Sequence, residues 1–81
     1  MEQRLRGPVG RVVGLKQVTR ALRDGRAERV YLCTDADEFL YRQVEALCAE
    51  KGVALTKLDD MKELGKLCGV DVKTATAALL T

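Results

Sequence analysis

Two neighbouring stretches decide the fold: Arg11-Val12-Val13-Gly14-Leu15-Lys16-Gln17-Val18-Thr19-Arg20-Ala21-Leu22-Arg23-Asp24-Gly25, and then Arg29-Val30-Tyr31-Leu32-Cys33. The first opens with a short β-branched run between Gly10 and Gly14. It then sets Leu15, Val18 and Leu22 at helical spacing, with Lys16, Arg20 and Arg23 on another face, and Gly25 closes the segment. The second stretch is β-rich and apolar. Strand, amphipathic helix, strand is therefore the expected order. The helix should bury one stripe and expose a basic one.

The same alternation continues. Asp35 followed by Glu38 has the form of a capping box and predicts a helix start. Leu40, Val44, Leu47 and Cys48 supply its apolar face, and Gly52 its stop. Residues 53–58 predict a strand. Asp59 and Asp60 predict a further cap, and Met61, Leu64, Leu67 and Cys68 a short helix ended by Gly69. Thr74 to Leu80 is small, apolar and strand-like. The first ten residues, with Gly7-Pro8 and Gly10, are expected to hold a short helical turn. An α/β layered domain with a largely buried sheet follows.

Length and composition bound the function. The 81 residues are expected to form one domain, with a modest core and no deep cavity. At 47% hydrophobic the chain is too apolar to be disordered. It has no His, which removes the commonest general base and a common metal ligand. It also has no Ser, so no nucleophile–base pair assembles and an enzyme is not expected. Cys33, Cys48 and Cys68 are odd in number, without C-x-x-C spacing, and read as small buried hydrophobes in a reducing compartment. No early apolar run suggests a signal peptide and no stretch suggests a membrane span, so a soluble, cytoplasmic protein is expected.

The net charge of +2 conceals an asymmetry. Residues 1–29 carry eight basic side chains against three acidic ones, and seven of the eight are Arg. The remainder carries nine acidic against six basic. Arg offers a planar fork suited to phosphates and guanine edges, so a polyanionic partner facing the first half is expected. Within it, Gly14 would let another backbone approach, and the open N–H groups of a first helical turn attract anions. Lys16, Gln17 and Arg20 lie within about one turn and add two cations and an amide. The same residues also describe an ordinary surface helix entered through glycine. Asp35, Asp37 and Glu38 could be taken as metal ligands, but acids at a helix start suit its dipole and free N–H groups better. Gly65, inside a short helix, predicts a close approach by a neighbouring element. Lys62 and Lys66 flank it on one helical face.

Gly14 to Gly25 resembles the opening of the RNA-contacting helix in the L7Ae/L30e family of ribosomal and kink-turn RNA-binding proteins. Val30-Tyr31-Leu32-Cys33-Thr34-Asp35-Ala36-Asp37 is similar to the strand and acidic turn that follow it in that family. Met61-Lys62-Glu63-Leu64-Gly65-Lys66-Leu67-Cys68-Gly69-Val70 resembles the family's Leu-Gly-x-x-x-Gly segment. The likeness runs from about residue 8 to residue 80 and is nearest to the small bacterial YbxF-type members. Archaeal and eukaryotic members usually read Gly-x-Asn-Glu-x-x-Lys here; Lys16, Gln17 and Arg20 stand at the Asn, Glu and Lys positions, as in the bacterial branch.

The resemblance implies a three-layer α/β/α sandwich with a mixed, mostly four-stranded sheet. It also implies an RNA target, the kink-turn, a duplex bent at a short bulge beside tandem sheared G·A pairs, in ribosomal RNA or an mRNA leader. Lys16 and Gln17 would meet the exposed guanines, Gly14 would admit the RNA closely, and Arg20 and Lys62 would neutralise crowded phosphates. Leu58 and Met61 would offer an apolar lid to the nucleotide thrown out of the bulge. No cofactor is implied, and a monomer is expected. The alternative is a protein-interaction module on the same fold, docking an acidic partner through its basic helix.

Overall fold

A computed structural model describes residues 10–81. The helical turn expected among the first ten residues, with Arg4 and Arg6, lies outside the described residues but for Gly10. The elements follow the expected alternation: β1 (Arg11–Val13), α1 (Leu15–Arg23), β2 (Ala27–Cys33), α2 (Glu38–Lys51), β3 (Ala54–Leu58), α3 (Met61–Cys68) and β4 (Thr76–Leu80). The sheet order is β1-β4-β2-β3. β4 runs antiparallel to both β1 and β2, whereas β2 and β3 are parallel, with Val30 opposite Leu55 and Cys33 opposite Leu58. The sheet is mixed and four-stranded, as expected.

Period-two alternation sends successive side chains of each strand to opposite layers. Val30, Leu32 and Ala78 join Val18, Ala21, Leu22, Val44 and Cys48 under α1 and α2. Tyr31, Cys33, Ala77 and Leu79 join Leu64 and Cys68 under α3. The result is the α/β/α sandwich, with two helices on one face and one on the other. Leu22, Leu32, Leu64 and Leu79 are fully enclosed, each worth roughly 1.5–3 kcal/mol relative to exposure. β4 lies between β1 and β2, and its Thr76 satisfies its buried hydroxyl by donating to the Tyr31 carbonyl at 2.7 Å.

Three local expectations change. The capping box over Asp35 and Glu38 does not form: α2 is capped by Asp37, whose carboxylate accepts from the Leu40 N–H at 3.1 Å. Asp35 instead reaches across to the start of α3 and accepts from the Met61 N–H at 3.1 Å. β2 begins at Ala27 rather than Arg29, through a register irregularity opposite β4. β4 begins at Thr76 rather than Thr74, because the Thr74 N–H is bonded to the Met61 carbonyl, outside the sheet, at 3.1 Å. The close approach expected at Gly65 is present: a Cβ there would run into the Val72 carbonyl oxygen.

Candidate functional site

Strand directions decide where the helices start. β1, β2 and β3 all point the same way, and each is followed by a helix, so α1, α2 and α3 begin at one end of the sheet. Three helix N-termini at the carboxyl ends of strands concentrate positive dipole ends there. Two of the three are closed by carboxylates. Asp37 caps α2, while Asp60 (accepting from the Lys62 N–H at 2.8 Å) and Asp35 close α3. The start of α1 has no side-chain cap and no acid in its first turn. Its first N–H groups stay available to an anion.

Gly14 makes that entrance possible. Its backbone sits at φ 95°, ψ 157°, a region essentially confined to glycine. Its N–H donates to the Thr76 carbonyl at 2.9 Å, which fastens the start of α1 to the buried strand β4. No atom lies within 4 Å of where its Cβ would stand, so the approach to the backbone is open. Lys16, Gln17 and Arg20 are all exposed and line one shallow depression of about 250 Å³. Among the described residues no carboxylate pairs with Lys16 or Arg20. Their charges are therefore uncommitted. Beneath them Val18 and Leu22 are fully buried, and the Thr19 hydroxyl donates to the Lys16 carbonyl at 3.0 Å.

The second group lies at the same end. Leu58 closes β3 and its carbonyl accepts from the Thr34 N–H at 2.7 Å. Leu58 and Met61 are half-buried against the α3 layer, each keeping part of its surface open. Lys62 is exposed at the second position of α3. The Asp35 bond to Met61 ties the β2–α2 and β3–α3 loops together beneath them. Six of the seven expected site residues thus lie at one end of the sheet, Leu58 at the end of β3 and Gly14, Lys16, Gln17, Met61 and Lys62 at helix starts, whereas Arg20 stands a turn further along α1.

One residue escaped the sequence reading. Val72 is 68% exposed on the 69–75 connection. That connection joins the two groups, since Thr74 is bonded to Met61 and Thr76 to Gly14. An apolar pair, Val70 and Val72, outside any strand or helix was the available signal, but the position of Val72 depends on the Gly65 contact. As for chemistry, among the described residues no group of three or more His, Cys, Asp or Glu is placed to hold a metal. Burial pushes all three thiols above their ordinary range, Cys33 to about 11, which makes them poor nucleophiles. Among the described residues, no helix is long and apolar enough to cross a membrane.

Fold and site together define an α/β/α sandwich with an open, basic helix entrance at the carboxyl end of its parallel strands. Comparison with known proteins gives that class a family. The model of the Ribosomal protein L7Ae/L30e/S12e/Gadd45 family matches residues 5–81, and the chain belongs to this family. It is 44% identical over 71 residues to an RNA-binding protein of Caldanaerobacter subterraneus subsp. tengcongensis, covering 88% of this chain and 87% of that one. It is also 44% identical over 69 residues to the RNA-binding protein YbxF of Geobacillus stearothermophilus, covering 85% and 84%. Among solved structures, a Giardia lamblia 15.5 kD RNA-binding protein superimposes with a TM-score of 0.88 at 24% identity, covering 98% of this chain and 67% of that one. This last likeness concerns the fold.

Proposed function

We propose that the chain is a one-domain, non-enzymatic RNA-binding protein that recognises kink-turns and holds them bent, acting as a cytoplasmic monomer on ribosomal RNA or an mRNA leader, without a cofactor. The observation that carries this reading is the uncapped start of α1, where Gly14 opens the backbone and Lys16, Gln17 and Arg20 share one unpaired, exposed surface. Family membership and the names of the relatives support it. A-form RNA hides the base edges of its deep groove, and a sharp bend opens them. Lys16 and Gln17 then meet the guanine edges of the G·A pairs. Arg20 and Lys62 offset the repulsion of phosphates drawn together by the bend. Leu58 and Met61 form the apolar rim for the extruded nucleotide.

The test is a gel shift with a kink-turn and a partner RNA whose sheared G·A pairs are replaced by Watson–Crick pairs. Binding is expected to drop sharply on replacement, and Lys16→Ala is expected to weaken binding to the intact motif. Equal affinity for both RNAs rejects the reading.

A further inference from the structure

A second basic surface adjoins that site and shares Lys62 with it. The outer side of α3 and the 70–73 loop enclose a groove of about 450 Å³, lined by Lys62, Lys66, Val70, Asp71, Val72 and Lys73. Three cations face one anion there. Among the described residues no carboxylate pairs with any of the three lysines, although Asp71 shares the groove. The placement of Lys62 is locally unfavourable. Lys62 stands at the positive end of the helix dipole, and Lys66 follows four residues later on the same face, a like-charge pair. An anion lying along the groove reverses both costs.

The groove is also built in advance. The 70–73 loop is pressed onto α3 where Gly65 meets the Val72 carbonyl, and is bonded to it by Val70 N–H to Gly65 (3.0 Å) and Thr74 N–H to Met61 (3.1 Å). The walls therefore need little ordering on binding. Lys62 lines the groove and also belongs to the proposed site, and three residues beyond Lys73 the Thr76 carbonyl accepts from the Gly14 N–H, so the same connection touches both. Among its lining residues, Val70 and Val72 suit the apolar side of a ribose, and the ammonium groups suit phosphates.

From this we infer that the α3 groove holds the sugar-phosphate backbone of a stem flanking the kink, with Lys66 and Lys73 contacting phosphates beyond the bend itself. The inference rests on the proposed RNA-binding reading. It extends the footprint from α1 across the loop to the outer face of α3 and makes affinity depend on stem length.

The experiment uses the double variant Lys66→Gln/Lys73→Gln and two kink-turn RNAs. In one, both stems are extended by a full helical turn; in the other they are trimmed to the pairs flanking the G·A tandem. Gln keeps the helix propensity of Lys, and a thermal melt checks that folding is unchanged. A control variant, Arg23→Gln/Lys51→Gln, removes the same charge from the far ends of α1 and α2. On the long-stem RNA, the double variant is expected to lower the slope of log affinity against log salt by about 1.5, so that the wild type loses about eightfold more affinity than the variant from 50 to 200 mM salt. On the trimmed RNA the slope is expected to stay the same, and the control should leave both slopes unchanged.

An unchanged slope on the long-stem RNA overturns the inference and leaves the groove to another ligand, such as an acidic protein segment. Equal loss on both RNAs also overturns it, as does an equal effect of the control. The kink-turn reading fails separately, on the wild-type protein alone, if replacing the G·A pairs leaves binding unaltered.

Discussion

A single backbone angle at Gly14 decides whether α1 has an open entrance. Its φ of 95° with ψ 157° is strained for any residue with a Cβ, at a cost of roughly 1–3 kcal/mol. Because nothing lies within 4 Å of a Cβ there, the cost of Gly14→Ala is backbone strain rather than a clash. Gly14→Ala is expected to lower stability by that amount in a urea melt, and to weaken RNA binding further by moving the first turn of α1. Cys33 shows the opposite kind of residue effect, buried and dependent on pH. Its thiol is raised from 9.0 to about 11 by burial first, then by the carboxylates of Asp35, Asp60 and Glu63. Between those values the unfolded chain has lost the proton that the folded protein keeps. The thiol's contribution to stability is therefore complete below about 9 and drains away as the pH rises to about 11. Thermal melts across that window are expected to show a decline in the wild type and a shallower one in Cys33→Ala. Equal slopes in the two proteins would mean that Cys33 keeps an ordinary pKa.

At the scale of elements, α3 depends on what packs against it. Gly65 is buried, and a methyl group there meets backbone oxygen at Val72 rather than a side chain that could turn aside. Gly65→Ala gains about 1 kcal/mol of helix propensity, but overpacking at a fixed carbonyl costs about 1–3 kcal/mol. A net loss is expected, read as a drop in Tm of several degrees. An unchanged or raised Tm would show that the 70–73 loop can move aside freely. This contact also marks how far the fold could be read along the chain. The order of strands and helices was legible because Leu15, Val18 and Leu22, and then Leu64, Leu67 and Cys68, repeat at helical spacing between glycine stops. Gly65 signalled a close approach, though not which element approaches. Asp35 was misread because a local pattern, Asp then Glu three residues on, competes with a partner 26 residues away at Met61. The last strand reads as starting at Thr74 for the same reason, since the Thr74 N–H is bonded to Met61 across the fold. Among the candidate residues, Lys16, Gln17 and Arg20 can be grouped from the sequence because about one helical turn joins them, with Gly14 just before its start. Val72 could not be grouped in that way, since only the folded loop brings it to Gly65 and the lysines of α3.

At the scale of the whole molecule, the charge asymmetry becomes a geometric one. Residues 1–29 hold the arginine excess, and α1 from that half places its basic first turn at the end of the sheet where Lys62 arrives from the acidic half. The acids there are largely committed: Asp37 and Asp60 cap helices, and Asp35 holds Met61. One end thus presents cations and an open helix start on a rigid frame. On the proposed kink-turn reading, such a surface would bend RNA only through differential affinity, because a ligand that bound straight and kinked forms equally would shift nothing. Moving an RNA from almost wholly straight to almost wholly bent needs roughly 10⁴-fold tighter binding to the bent form, about 5.5 kcal/mol. Guanine edges buried in the straight duplex and phosphates crowded only in the bend are the features that can supply this difference. A kink-turn labelled with a fluorophore on each stem, held in low salt without divalent ions, is therefore expected to show a rising bent fraction as wild-type protein is added. Lys16→Ala is expected to bind that RNA while leaving a larger fraction straight at saturation, because it removes a contact available only in the bent form. Arg20→Gln is expected to shift the titration to higher protein concentration and to reduce its salt dependence by about one phosphate contact. Saturated binding with no change in energy transfer would mean that the protein holds RNA without bending it, and would sink the shape-selective mechanism while leaving RNA binding intact.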